Sequence, residues 1–138
     1  MTTYAYSTES PAEVKAGLLV VPVFEGGEPG PGVKETGTAD AYSSAKLRGQ
    51  KGETLLVATR DGDGVAADAV LLFGVGRRED FTIAQMRRAL GRVAPQTRRF
   101  GTVATSMPLA FGGKRAVDAV HAAAEGLVLG AYRFDRYR

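Results

Sequence analysis

Cysteine is absent from the 138 residues, which excludes disulfides, thiolate nucleophiles and Cys-ligated zinc. A single histidine, His121, rules out a multi-histidine metal site built from this chain alone. Long apolar runs are missing too. The longest, residues 17–24 (GLLVVPVF), falls far short of the ~20 residues that span a bilayer, so no membrane partner is expected. The opening residues, MTTYAYSTESPAEV, lack a basic segment followed by an apolar one and are not expected to be a signal peptide. Together these absences predict a soluble, cytoplasmic protein. Acids are absent from residues 81–117, where Arg87, Arg88, Arg92, Arg98, Arg99, Lys114 and Arg115 all fall. The net charge of +3 therefore hides an acidic first part and a basic second part. A basic region of this kind suits nucleic acid, including DNA, or an acidic partner surface, and equally a solvated helix face.

What is present fits one ordinary globular domain. Hydrophobic residues make up 44% and charged residues 24%, and the length allows one core. Residues 3–7 alternate Tyr4 and Tyr6 with small residues and predict a weak strand. Residues 17–24 are dense in β-branched side chains, the pattern of a strand buried on both faces, with Pro22 marking an edge or a bulge. Residues 25–37 (EGGEPGPGVKETG) predict a flexible loop without regular structure. A short helix is expected over 39–47. Strands are expected over 53–59 and 68–75, paired antiparallel across the Asp61-Gly62-Asp63-Gly64 turn.

From residue 81 the apolar period becomes helical. Ile83, Met86, Leu90 and Val93 share one face over 81–92, Thr82 is a candidate cap, and Pro95 ends or kinks the helix. A further strand is expected over 101–107. The closing helix, 115–132, places Val117, Val120, Ala124, Leu127 and Val128 at spacings of three and four. Strands alternating with helices predict an α/β fold with a mixed sheet covered on its faces.

Chemistry is harder to place. Gly74-Val75-Gly76 follows a strand and precedes a helix, as a nucleotide-binding turn does, but position 79 is Glu79 rather than the third glycine of that fingerprint. Gly112-Gly113 precedes the closing helix in a similar way. Lys51, flanked by glycines in LRGQKGE (47–53), could approach a ligand phosphate or could simply sit in a loop entering a strand. Asp61, Asp63 and Asp68 lack EF-hand spacing and read as a turn. Ser43 and Ser44 lie far in sequence from His121, with no carboxylate spaced to orient that imidazole. No catalytic, cofactor-binding or metal-ligating residue is therefore assigned.

Residues 125–138 (EGLVLGAYRFDRYR) end on Tyr132, Phe134 and Tyr137, interleaved with charges. These aromatics need something to pack on, either this domain or a continuation of the polypeptide.

Three segments in order carry a resemblance. LRGQKGE (47–53) runs directly into Leu55 and Val57. VLLFGVG (70–76) is followed by Arg77, Phe81-Thr82 and Arg87-Arg88-Ala89. The chain closes with Ala124-Glu125-Gly126, Leu129-Gly130 and Tyr132 to Tyr137. Together they resemble the N-terminal domain of the leucine aminopeptidase (cytosol aminopeptidase) family, two-domain metallo-exopeptidases. The resemblance implies a three-layer α/β/α domain with a mixed sheet, similar to macro domains, spanning 1–138. Residues 132–138 would begin the linker to a C-terminal catalytic domain. It also implies that two divalent metals, zinc or manganese, and the catalytic side chains belong to that other domain, so none is carried over to a position here. A hexameric assembly, a role in assembly and regulation, and in some members contact with DNA are implied as well. A stand-alone macro-like module for ADP-ribose or a nucleotide remains the alternative.

Overall fold

The computed structural model describes residues 10–136, and the side chains of all of these except 97, 98 and 128–136. The expected strand at 3–7 lies outside the described residues. In chain order the elements are β1 (Leu18–Phe24), β2 (Glu28–Pro29), α1 (Ala39–Ser44), β3 (Thr54–Ala58), β4 (Ala69–Gly76), α2 (Ile83–Val93), α3 (Thr97–Phe100), β5 (Val103–Thr105) and α4 (Arg115–Arg136). Short 3-10 turns occupy Pro11–Glu13, Arg78–Asp80, Ala94–Gln96 and Met107–Ala110.

The sheet is mixed. β1 and β4 run parallel at its centre, β5 joins β1 in parallel, and β2 and β3 are antiparallel to β1 and β4 respectively. The expected antiparallel pair is present, in register from Thr54 opposite Phe73 to Ala58 opposite Ala69. Every residue of β1 and β4 is buried, as their near-continuous apolar sequences require of strands covered on both faces. Alternation then sorts them. Leu18, Val20, Phe24, Leu71 and Phe73 face α2 and α4, whereas Leu19, Val21, Val23, Val70 and Leu72 face the opposite side.

Pro22 sits in a central strand rather than on an edge. β5 pairs with β1 at Leu18–Val20 and β2 pairs with it only from Val23, so Pro22 lies opposite the gap between them. Its carbonyl accepts from the Gly30 N–H at 3.1 Å on this side. Because the N and C=O of one strand residue face the same neighbour, the missing N–H faces a place where no partner strand needs it. The expected irregularity is present as a register shift between Val23 and Phe24.

The helices bear out the period of α2 and, in part, that of α4, where Leu127 is buried as expected and the expected Val128 side chain lies outside the described residues. Met86, Leu90 and Val93 are buried along α2, the Thr82 hydroxyl accepts from the Gln85 N–H at 3.2 Å, and the helix stops at Val93 before Pro95. On α4 the residues turned inward are Ala119, Ala122, Ala123, Gly126 and Leu127, while Val117 is 63% exposed. The reason is close packing against α2. A Cβ on Gly126 would stand 2.5 Å from the Arg87 carbonyl oxygen, so small side chains, rather than Val117, line this close approach. The helix also runs four residues beyond the expected end, to Arg136.

The expected flexible loop at 25–37 is instead folded onto the second face. Val33 is buried in that core, and β2 interrupts the segment. Thr36 Oγ1 donates to the Gly32 and Val33 carbonyls, and Ser106 Oγ donates to the Pro31 carbonyl. Glycine and proline allow these tight turns, and buried hydroxyl groups satisfy their backbone. The strand expected at 101–107 is shorter, because residues 107–110 turn into a 3-10 segment carrying Pro108.

Candidate functional site

Two glycine-bearing segments singled out from sequence, residues 47–53 and 74–76, meet at one end of the sheet. After α1 the chain reverses at Lys46, whose φ is 60°. The 48–53 loop then lies across the ends of β1 and β4. Gly52 N–H donates to the Gly74 carbonyl at 3.0 Å, Gly74 N–H to the Glu53 carbonyl at 2.8 Å, and Gly76 N–H to the Gly49 carbonyl at 2.9 Å. From the other side Glu25 N–H donates to the Gly76 carbonyl at 2.8 Å. A Cβ on Gly74 would lie 2.1 Å from the Gln50 carbonyl oxygen, so this glycine is needed for the loop to approach at all.

That geometry decides between the two readings of the 74–76 turn. A phosphate cradle needs backbone N–H groups pointing outward into a concavity. Here the Gly74 and Gly76 donors are both occupied internally, so the turn is a structural joint.

Glu53 and Tyr42 hold the loop in place. One carboxylate oxygen of Glu53 accepts from the backbone N–H of Gln50 at 2.7 Å and of Arg48 at 3.2 Å. The buried Tyr42 hydroxyl accepts from Gly49 N–H at 2.9 Å. Burial pushes the Tyr42 phenol above its ordinary value, the Gly49 hydrogen bond partly opposes this, and the nearby Glu53 charge adds to it. Neither residue stood out from sequence, because nothing in the pattern links Tyr42 to a loop seven residues on.

Lys51 is placed where ligand contact is possible. Its methylene stem passes over Gly76, about 3.1 Å from where a Cβ would be, and its exposed side chain reaches toward α2 and the rim of a small cleft there. The other candidates do not converge with it. Ser43 and Ser44 are exposed at the end of α1, and His121 is exposed on α4. Asp63 accepts from the Arg60 N–H at 2.8 Å, closing the expected turn. Among the described residues no group of three His, Asp or Glu side chains could hold a metal ion, and no helix is long and apolar enough to cross a membrane.

The basic stretch disperses. Arg87 pairs with Glu125 at 3.2 Å, Arg99 lies over Phe100, and Arg115 covers the Phe111 ring at 5.2 Å. Phe111 stacks on Phe81, which meets Phe24 edge-on, and Arg78 covers Phe24 at 4.3 Å. Among the described residues of this stretch, Arg88 and Arg92 reach the cleft beside Lys51.

Residues 20–138 match the family described as the cytosol aminopeptidase family, N-terminal domain. The chain belongs to this family. It is 33% identical over 132 residues to the probable cytosol aminopeptidase of Syntrophotalea carbinolica, covering 90% of this chain and 26% of the relative. The probable cytosol aminopeptidase of Halorhodospira halophila is 34% identical over 137 residues, covering 93% of this chain and 27% of the relative. The chain thus spans about a quarter of the length of these cytosol aminopeptidases. Among solved structures, the bottromycin maturation enzyme BotP superposes with a TM-score of 0.63 at 26% identity, over 89% of this chain and 25% of BotP. A tomato leucine aminopeptidase variant superposes with a TM-score of 0.59 at 14% identity, over 91% of this chain and 29% of its own, and shows the shared fold. A manganese complex of BotP has been solved as well.

Proposed function

We propose that this chain is the non-catalytic N-terminal domain of a leucyl aminopeptidase, a two-metal exopeptidase that removes N-terminal residues from peptides in the cytoplasm. The observation that carries this reading is the match in length. Nearly the whole chain aligns with only about a quarter of each of these two relatives. Two divalent ions, zinc or manganese, would then be held by a C-terminal catalytic domain, together with the residues that activate water and polarise the scissile carbonyl. Helix α4 is the natural connection to that domain. It packs against α2 and runs to Arg136, and would lead into that domain. Residues 132–138 would begin the linker to it.

The role proposed for the domain itself is assembly and regulation, within a homo-oligomer of hexameric type. Its layered mixed sheet is also compatible with macro-domain kinship.

An assay with a leucine anilide substrate tests the reading. The 138-residue chain should show no turnover with manganese or zinc. The polypeptide extended through the following reading frame should turn over substrate, lose activity to a chelator, and run as a hexamer by light scattering. Metal-dependent turnover by the 138-residue chain would overturn the proposal.

A further inference from the structure

Beside α2 lies a cleft of about 220 Å³ that the peptidase reading leaves unused. Buried Phe73 and Phe81 help form its floor. Residues 81, 85, 88, 89 and 92 recur at the spacing of one helix face, so α2 and its lead-in supply one wall. The opposite wall is the Lys51-Gly52 corner, held against β4 by the hydrogen bonds of Gly52, Gly74 and Gly76. Lys51, Arg88 and Arg92 stand exposed at the rim, with the half-buried Gln85 amide between floor and rim. The Arg92 guanidinium reaches across to Gly52, with Nη1 3.4 Å from where a Cβ would be.

The charge at this rim is unbalanced. The salt bridges among the described residues use Arg77, Arg78 and Arg87, and none involves Lys51, Arg88 or Arg92. Arg88 and Arg92 are four apart on one helix, an arrangement that disfavours the helix unless an anion lies between them. Three cations from two separate segments over an apolar floor are an arrangement that a doubly charged, multiply accepting group satisfies better than a single carboxylate.

We propose that this cleft binds a small phosphorylated ligand of about the size of a sugar phosphate. Lys51, Arg88 and Arg92 hold the phosphate, Gln85 hydrogen-bonds the polar body, and the Phe73 and Phe81 floor takes its least polar face. The size supports this class, since the cleft is below the ~300 Å³ at which drug-sized ligand sites begin. Side chains carry the recognition because the Gly74 and Gly76 amides are already used. A nucleic-acid backbone is the poorer fit. Arg87 is engaged by Glu125, and Arg99 and Arg115 lie over aromatic rings, so these three described arginines do not extend the cationic rim into a track. The site does not depend on the peptidase assignment.

Calorimetry on the 138-residue chain at low salt tests it, with ribose 5-phosphate, adenosine monophosphate and inorganic phosphate as probes and unphosphorylated ribose as control. The expected result is saturable one-to-one binding of at least one phosphorylated probe and none of ribose. The combined Lys51→Ala, Arg88→Gln and Arg92→Gln variant should weaken that binding by about tenfold or more with no loss of melting temperature, as expected for losing charge-assisted contacts. Arg88→Gln alone serves as the second variant and should weaken it measurably. No saturable binding, or binding that survives the combined substitution, overturns the proposal. So does a chain that binds duplex DNA with a steep salt dependence while ignoring all three phosphorylated probes.

Discussion

On one face of the sheet the side chains of β1 and β4 meet α2 and α4 in a continuous apolar core running from Leu18 to Leu127. On the other face a smaller cluster around Leu19, Val70 and Leu72 is closed by α1 and the irregular segment of residues 25–38. The first face is held by volume and close packing. The second is held as much by hydrogen bonds, through Thr36, Thr38, Ser106 and Tyr42. One domain thus uses two ways of covering a sheet, and substitutions should tell them apart.

The largest effect is expected on the helical face. Leu90 is fully buried between α2 and the sheet, and Leu90→Ala should destabilise the chain by about 2–5 kcal/mol through lost burial and a cavity. Chemical denaturation reads this directly, and a loss below 1 kcal/mol would show that the helical core is looser than its packing implies. Gly126→Ala comes next and is diagnostic in sign. Glycine to alanine within a helix ordinarily gains ~1 kcal/mol. At Gly126 the new methyl would stand 2.5 Å from the Arg87 carbonyl oxygen, so α2 and α4 must separate at a net cost of about 1–3 kcal/mol. A raised melting temperature for this variant would refute the close approach.

The same contrast explains how far the sequence could be read. β1, β4 and α2 are legible because buried strands read as unbroken apolar runs and α2 carries its apolar residues on one stripe. On α4 Leu127 is read correctly, but Val117 is misread, because valine outranks alanine in apolarity while the close approach to α2 at Gly126 favours small neighbours such as Ala119, Ala122 and Ala123. Segment 25–37 is misread more thoroughly. Its glycines and prolines signal turns correctly, but nothing local shows that Val33 is a core residue or that Ser106 reaches back to Pro31. The glycine turn at 74–76 is found and its chemistry is not. Whether its amides are free depends on the 49–53 loop, which only the folded chain brings into contact. Lys51 draws notice as an isolated residue, whereas the cleft it shares with Arg88 and Arg92 depends on tertiary structure.

For the hydrogen-bonded face the sharper probe is Tyr42. Tyr42→Phe keeps the ring but leaves the buried Gly49 N–H without its partner, a loss of about 1–2 kcal/mol. The same hydroxyl adds a pH dependence. Its folded pKa is raised, so the neutral form favours folding. Stability from this group is complete below the unfolded value near 10 and falls as pH rises through the higher folded value. Denaturation midpoints measured from pH 8 to 11 should therefore decline more for the parent chain than for Tyr42→Phe. Parallel curves would show that the hydroxyl is not buried as described.

The smallest effect is expected where the two faces are tied across the sheet edge. Arg78 pairs with Glu28 at 2.9 Å, linking β2 to the turn before α2, and lies over the Phe24 ring at 4.3 Å. Both side chains are about half exposed, so screening and side-chain entropy offset most of the Coulomb attraction. Glu28→Ala should lower stability by no more than about 0.5 kcal/mol, and high salt should erase the difference. Arg78→Ala should cost more than Glu28→Ala, because it also removes the guanidinium from the buried Phe24, a contact that salt screens less. Measuring both variants at low and high salt separates the two contributions. Equal losses that vanish together in salt would mean that the ion pair alone joins β2 to the helical face. A residual, salt-resistant loss confined to Arg78→Ala would mean that the joint is made by packing on Phe24, the residue through which the apolar core reaches this edge of the sheet.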